Sequence, residues 1–113
     1  MREPGESRPG SLSMQGSVAA FVEEHGLEAP LHARALDLVS EVGELAKEIL
    51  EGTDDGRTPF EAPEGWTGEL GGALFALVCL ANSTGVDLEV ALVGTLEKCR
   101  ERLALGSDAG SGR

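Results

Sequence analysis

A chain of 113 residues is one domain at most, and a domain of that size buries only part of the apolar surface that its unfolded chain exposes, so a partner subunit would help it. Twenty acidic against nine basic residues give a net charge of −11, which repels a phosphate backbone and disfavours nucleic-acid binding; aromatics at 4% and no tyrosine leave little for stacking bases. The core must be aliphatic, and cations are the more natural partners.

Residues 1–16 are rich in Gly, Pro and Ser without apolar periodicity, and residues 104–113 are similar, so both read as disordered tails flanking a domain at 17–103. Ser17 can cap a short first helix that carries Val18, Phe21 and Val22 inward, with Gly26 as its stop. From Leu31 the apolar residues fall at 31, 35, 38, 42, 45 and 49, in alternating steps of four and three, the seam of a long amphipathic helix that ends at Gly52. The segment from Gly52 to Gly65 has two prolines and no periodicity and reads as a loop long enough to suggest a role.

A third helix runs from near Trp66 to Thr84, with Gly85 behind it, and Asp87 can cap a fourth that carries Leu88, Leu92, Leu96, Cys99 and Leu103 on one face. No segment has strand alternation, so the fold class is all-α. The third helix is apolar nearly all round from Leu70 to Ala81 and needs cover on several sides, which a homodimeric helical bundle would supply.

No basic segment followed by an apolar run opens the chain, and no apolar stretch reaches the roughly 18 residues of a membrane span, so a cytoplasmic protein without membrane contact is expected. Cys79 and Cys99 lack the paired spacing of a zinc site and read as reduced thiols.

Beside the apolar seam of the second helix runs a stripe of acids, Asp37, Glu41, Glu44 and Glu48, spaced four, three and four apart. Two readings fit it: a solvated acidic helix face, or carboxylates pointing into a cleft that binds a hard cation such as Mg²⁺, which takes oxygen ligands. An acid on a facing helix would favour the second. Glu69, at the mouth of the apolar run, is such an acid, although it equally suits the first turn of a helix through the dipole.

The stretches "LVSEVGELAKEIL", "GELGGALFALVCLANSTGVDLEVAL" and "LEKCRERL" resemble the MazG-like nucleotide pyrophosphohydrolases of the all-α NTP pyrophosphatase superfamily, over roughly residues 17–103. That resemblance rests on a Glu-x-x-Glu pair on one helix and a Glu-x-x-Asp pair on the next. It implies a helical bundle completed as a homodimer or homotetramer, with Mg²⁺ held by the acids and a nucleoside triphosphate cleaved to monophosphate and pyrophosphate. Glu41, Glu44 and Glu69 match three of the four acids and are the implied metal and catalytic residues, while Asn82, Lys98 and Arg102 are implied substrate contacts.

The fourth acid is missing, because Gly72 stands at the position of the Asp. Ser40, Thr95 and Cys99 also depart from the family pattern. Mg²⁺ commonly binds through one or two carboxylates plus waters and phosphates, so metal-nucleotide binding can survive the loss, while precise placement of the attacking water suffers. Weakened pyrophosphohydrolase activity is therefore expected unless Asp37, Glu48 or a loop acid substitutes. The alternative is a catalytically inactive homologue that serves as a nucleotide-binding or helical interaction module.

Overall fold

The computed structural model describes residues 13–106, and among them it has four α-helices and no strand. These are α1 (Met14–Glu24), α2 (Leu31–Gly52), α3 (Trp66–Ser83) and α4 (Leu88–Ala104). The all-α expectation holds, with one short and three longer helices. The expected tails fall mostly outside the described residues, and the parts inside are structured. Ser13 is the N-cap of α1, with its hydroxyl accepting from the Gly16 amide at 3.0 Å, so the helix starts earlier than a Ser17 cap would place it.

Each helix stops for a local reason. After α1, Gly26 takes φ +62° and the Leu27 amide donates to the Val22 carbonyl at 2.9 Å, a glycine stop that satisfies a helix-end carbonyl. After α3, Gly85 takes φ +70° and the Val86 amide reaches the Ala81 carbonyl at 3.0 Å in the same way. Asp87 caps α4, its Oδ1 accepting from the amides of Glu89 and Val90 at 2.9 and 3.2 Å. At the end of α2 the buried Thr53 hydroxyl donates to Ile49 and accepts from the Gly56 amide. The following loop is tied back: Phe60 lies so close to Gly52 that a Cβ there would meet its ring at 3.0 Å, and it makes an edge contact with Trp66 at 5.0 Å.

Helix α3 is the centre of the molecule, packed against both α2 and α1. The buried apolar residues, Ala76, Val78, Cys79 and Ala81, all belong to it. By contrast α4 leaves α3 at 100° and buries none of its residues.

The face that α2 turns to α3 differs from its apolar seam. The residues of α2 that lose solvent are Ala33, Arg34, Leu38, Glu41, Leu45 and Glu48, whereas Leu31, Val42 and Ile49 stay 48%, 49% and 41% exposed. The covered register thus runs 34, 38, 41, 45, 48, rotated from the expected 31, 35, 38, 42, 45, 49. Small residues on α3 account for the rotation. Gly72 leaves a notch where a Cβ would come within 2.9 Å of the Glu41 Oε1, and that carboxylate fills the space.

Gln15 ties the helices together at the α3–α4 elbow. Its Nε2 donates to the Asn82 Oδ1 at 3.0 Å and to the Val86 carbonyl at 2.8 Å, and its Oε1 accepts from the Leu88 amide at 2.7 Å. The Asn82 Nδ2 donates in return to the Gln15 carbonyl at 3.1 Å. Gln15→Ala should cost about 1–3 kcal/mol of stability, since several partners lose their bonds together. Urea unfolding reads that loss, and faster amide exchange at Val86 and Leu88 locates it.

Candidate active site

The antiparallel packing of α2 on α3 brings four carboxylates into one groove. Glu41 lies against Gly72, and Glu69, near the start of α3, lies among Glu48, Glu44 and Glu41. Glu41, Glu48 and Glu69 are half-buried, while Glu44 and Asp37 are exposed. The facing-helix acid that favours the cleft reading of the acidic stripe is therefore in place.

Glu69 shows the strain of this arrangement. Its Oε1 is closed off from solvent and receives no hydrogen bond. Loss of solvent raises its carboxyl above the ordinary glutamate range, and the negative charges of Glu48 and Glu44, a hydrogen bond shared with Glu48 and the charge of Glu41 push the same way. No basic group is among those acting on it. A buried carboxylate without a donor or a counter-charge is costly, and a hard cation would supply the missing partner. The donor chemistry thus suits Mg²⁺, although among the described residues no three His, Cys, Asp or Glu side chains are gathered into a ready-made cation cage. The acids line a groove without closing around a point, as mutually repelling charges do when nothing offsets them.

The other residues expected at the site are not brought to it. Lys98 and Arg102 sit exposed on α4, which turns away from the groove. Asn82 is at the far end of α3, occupied with Gln15 on both faces of its amide. It lines a separate cleft of about 270 Å³ together with Ala19, Val22, Arg34, Cys79 and Ser83. None of Glu41, Glu44 or Glu69 lines that cleft.

Arg34 anchors that end and was not singled out by sequence. It is 8% exposed, donates from Nη2 to the Leu27 carbonyl and lies over the Phe75 ring at 5.9 Å. Phe75 in turn meets Phe21 of α1 edge-on at 6.2 Å. Cys79 is a free buried thiol, raised by burial, with Arg34 pulling it down and Asp37 pushing it up. Cys99 is also free. The signal that could have found Arg34 is its spacing, seven residues before Glu41 and fourteen before Glu48, which places all three on one stripe of the helix.

A family model described as the MazG nucleotide pyrophosphohydrolase domain matches residues 31–104, and the chain belongs to that family. That span covers α2, α3 and α4, including the whole acidic groove. No curated protein and no solved structure matches the chain.

The raised Glu69 carboxyl sets a pH dependence. Because the folded chain holds a proton that the unfolded chain has released, stability falls as pH rises from the ordinary glutamate value through the raised one, and is unaffected below both. Glu69→Gln should therefore be more stable than the parent in metal-free buffer at neutral pH. The gain should vanish below about pH 4, where both states are protonated. Urea unfolding at a series of pH values with a chelator present measures it.

Proposed function

We propose that the chain is a Mg²⁺-dependent nucleoside triphosphate pyrophosphohydrolase, yielding a nucleoside monophosphate and pyrophosphate, with turnover weakened by Gly72. The observation that carries this reading is the Glu69 Oε1, solvent-free and without a donor, among the α2 acids in the groove that the family match spans. Glu41, Glu44 and Glu69 would hold the cation. When bound, Mg²⁺ offsets phosphate charge and lowers the pKa of a coordinated water. A groove carboxylate not engaged with the cation would orient the attacking water and accept its proton. Glycine at 72 removes an acid from this shell, and looser placement of the attacking water is the expected cause of slow turnover.

The same reading includes a homodimer or homotetramer. Large apolar side chains stand exposed in rows: Leu36, Val39 and Leu50 on α2, Leu70, Leu74 and Leu77 on α3, Val90, Val93 and Leu103 on α4. Monomeric proteins rarely leave so much contiguous apolar surface in water. A second copy that lays its α4 over the groove would also bring Lys98 and Arg102 toward the phosphates, which the turn of α4 within one chain prevents. Light scattering should return the mass of two or four chains, and a monomer at micromolar concentration would remove this part of the proposal.

A non-catalytic module that keeps the fold and nucleotide binding is the second reading, favoured by Gly72 and by the unassembled state of the acids. Pyrophosphate release from a panel of nucleoside triphosphates decides between them. Mg²⁺-dependent release, abolished in Glu41→Gln, supports the enzyme, and Gly72→Asp should raise it by an order of magnitude or more, after the Glu41 carboxylate swings aside to admit the new Cβ. Binding of a Mg²⁺-nucleotide without release in either form supports the module, and no binding at all sinks both.

A further inference from the structure

The cleft between α1, the start of α2 and the end of α3 holds a buried cation for which the chain supplies no anion. Arg34 is 8% exposed and lines this space of about 270 Å³, with Ala19, Val22 and Ala29 as apolar walls. Its Nη2 donates to the neutral Leu27 carbonyl and its guanidinium carbon lies over the Phe75 ring. Among the described residues no carboxylate pairs with it. Burial keeps the Cys79 thiol, which lines the same cleft, in its neutral form, so no anion comes from there either.

Buried charges in proteins are ordinarily paired. Tying down one carbonyl needs a single donor, whereas a guanidinium brings a planar fork of them. The N–H groups of Arg34 that no protein atom accepts are not closed off, since the Glu69 Oε1 is the one buried side-chain atom without a partner among the described residues. The cleft that Arg34 lines is where they stay open.

The outer part of the cleft has the opposite sign. Glu23 and Glu28 line it as exposed residues, and neither comes within ion-pair distance of Arg34. Their charge repels a multiply charged anion such as a nucleoside triphosphate, and the volume lies below the roughly 300–1,000 Å³ of sites for drug-sized ligands. A carboxylate matches the guanidinium fork with two parallel hydrogen bonds. An ammonium group on the same ligand would offset the two acids, and a short aliphatic body suits the walls.

We propose that this cleft binds a small zwitterion of the amino-acid class, its carboxylate on Arg34, its ammonium toward Glu23 and Glu28 and its aliphatic body against Ala19, Val22 and Ala29. The site is independent of the pyrophosphohydrolase reading, because none of Glu41, Glu44 or Glu69 lines it.

The experiment titrates the full chain with leucine, and in parallel with isocaproate, which lacks the ammonium, isoamylamine, which lacks the carboxylate, and inorganic phosphate. Amide shifts in the nuclear magnetic resonance spectrum locate binding and calorimetry gives its strength. Leucine should bind saturably with Kd on the order of 1 mM or below and shift the amides of Ala19, Arg34, Cys79 and Ser83. Isocaproate should bind several-fold more weakly, and isoamylamine and phosphate should leave those amides in place. Arg34→Met should weaken leucine at least about tenfold, the loss of a hydrogen-bonded charge pair, while Arg100→Met, an exposed cation on α4, leaves it unchanged. Ala19→Phe fills the cleft from an exposed position of α1, keeps Arg34 and should abolish binding with helix content intact, so the test holds even where Arg34→Met does not fold.

No shift at those amides with leucine overturns the proposal. Isoamylamine binding as tightly as leucine overturns it too, since the carboxylate would then go unread, and phosphate binding as tightly would reduce the site to a bare anion contact. Equal weakening by Arg34→Met and Arg100→Met, or parent-like binding by folded Ala19→Phe, would place leucine somewhere other than this cleft.

Discussion

The structure turns on how α2 lies against α3. Ordinarily two amphipathic helices meet through their apolar stripes, and the charged residues go to water. Here the stripe that meets α3 alternates leucine with charge, Arg34, Leu38, Glu41, Leu45, Glu48, and the surface that receives it contains an acid of its own, Glu69. Such an interface cannot be the most stable one available to this chain. Buried or half-buried carboxylates of like charge oppose the packing that brings them together, and the leucines between them, with the Gly72 notch, must hold the helices in register against that repulsion. Tolerance of strain at one place is common where a fold serves a ligand.

The same rotation decides what the outside looks like. Once the charged stripe is used inside, the apolar residues of the seam are left facing outward, and α3 keeps its own leucine row on the opposite side from α2 and α1. With α4 departing at a right angle and burying nothing, the four helices of one chain make an incomplete bundle. Acidic groove and apolar exterior are thus two aspects of one choice of helix register, and no single helix among the described residues is long and apolar enough to cross a membrane.

Much of this was legible in the sequence. Helix count, the stops at Gly26, Gly52 and Gly85, the Asp87 cap and the family all follow from local signals or from two i,i+3 acidic pairs, which depend on neighbours a few residues apart. The register of α2 did not follow, because two stripes with the same seven-residue rhythm run side by side, and hydrophobicity alone chooses the wrong one. What selects the other is a missing side chain on a different helix. Ser13 and Gln15 were hidden for another reason: a glycine and serine composition reads as a tail until distant backbone groups give its polar atoms something to bind. Asn82, an implied substrate contact by resemblance, also has a partner that no local signal shows, 67 residues away in the chain.

That partner has a wider consequence. The family segment begins at Leu31, yet the angle between α3 and α4 is gripped by a single glutamine that precedes it by sixteen positions, reading a carbonyl and an amide on the elbow while clasping Asn82. Whatever orientation α4 must adopt to meet a neighbour or a phosphate is therefore governed from the N-terminal side. The short first helix is a splint set across a joint, and the unit that holds its shape takes in Ser13 and Gln15 as well as the family segment.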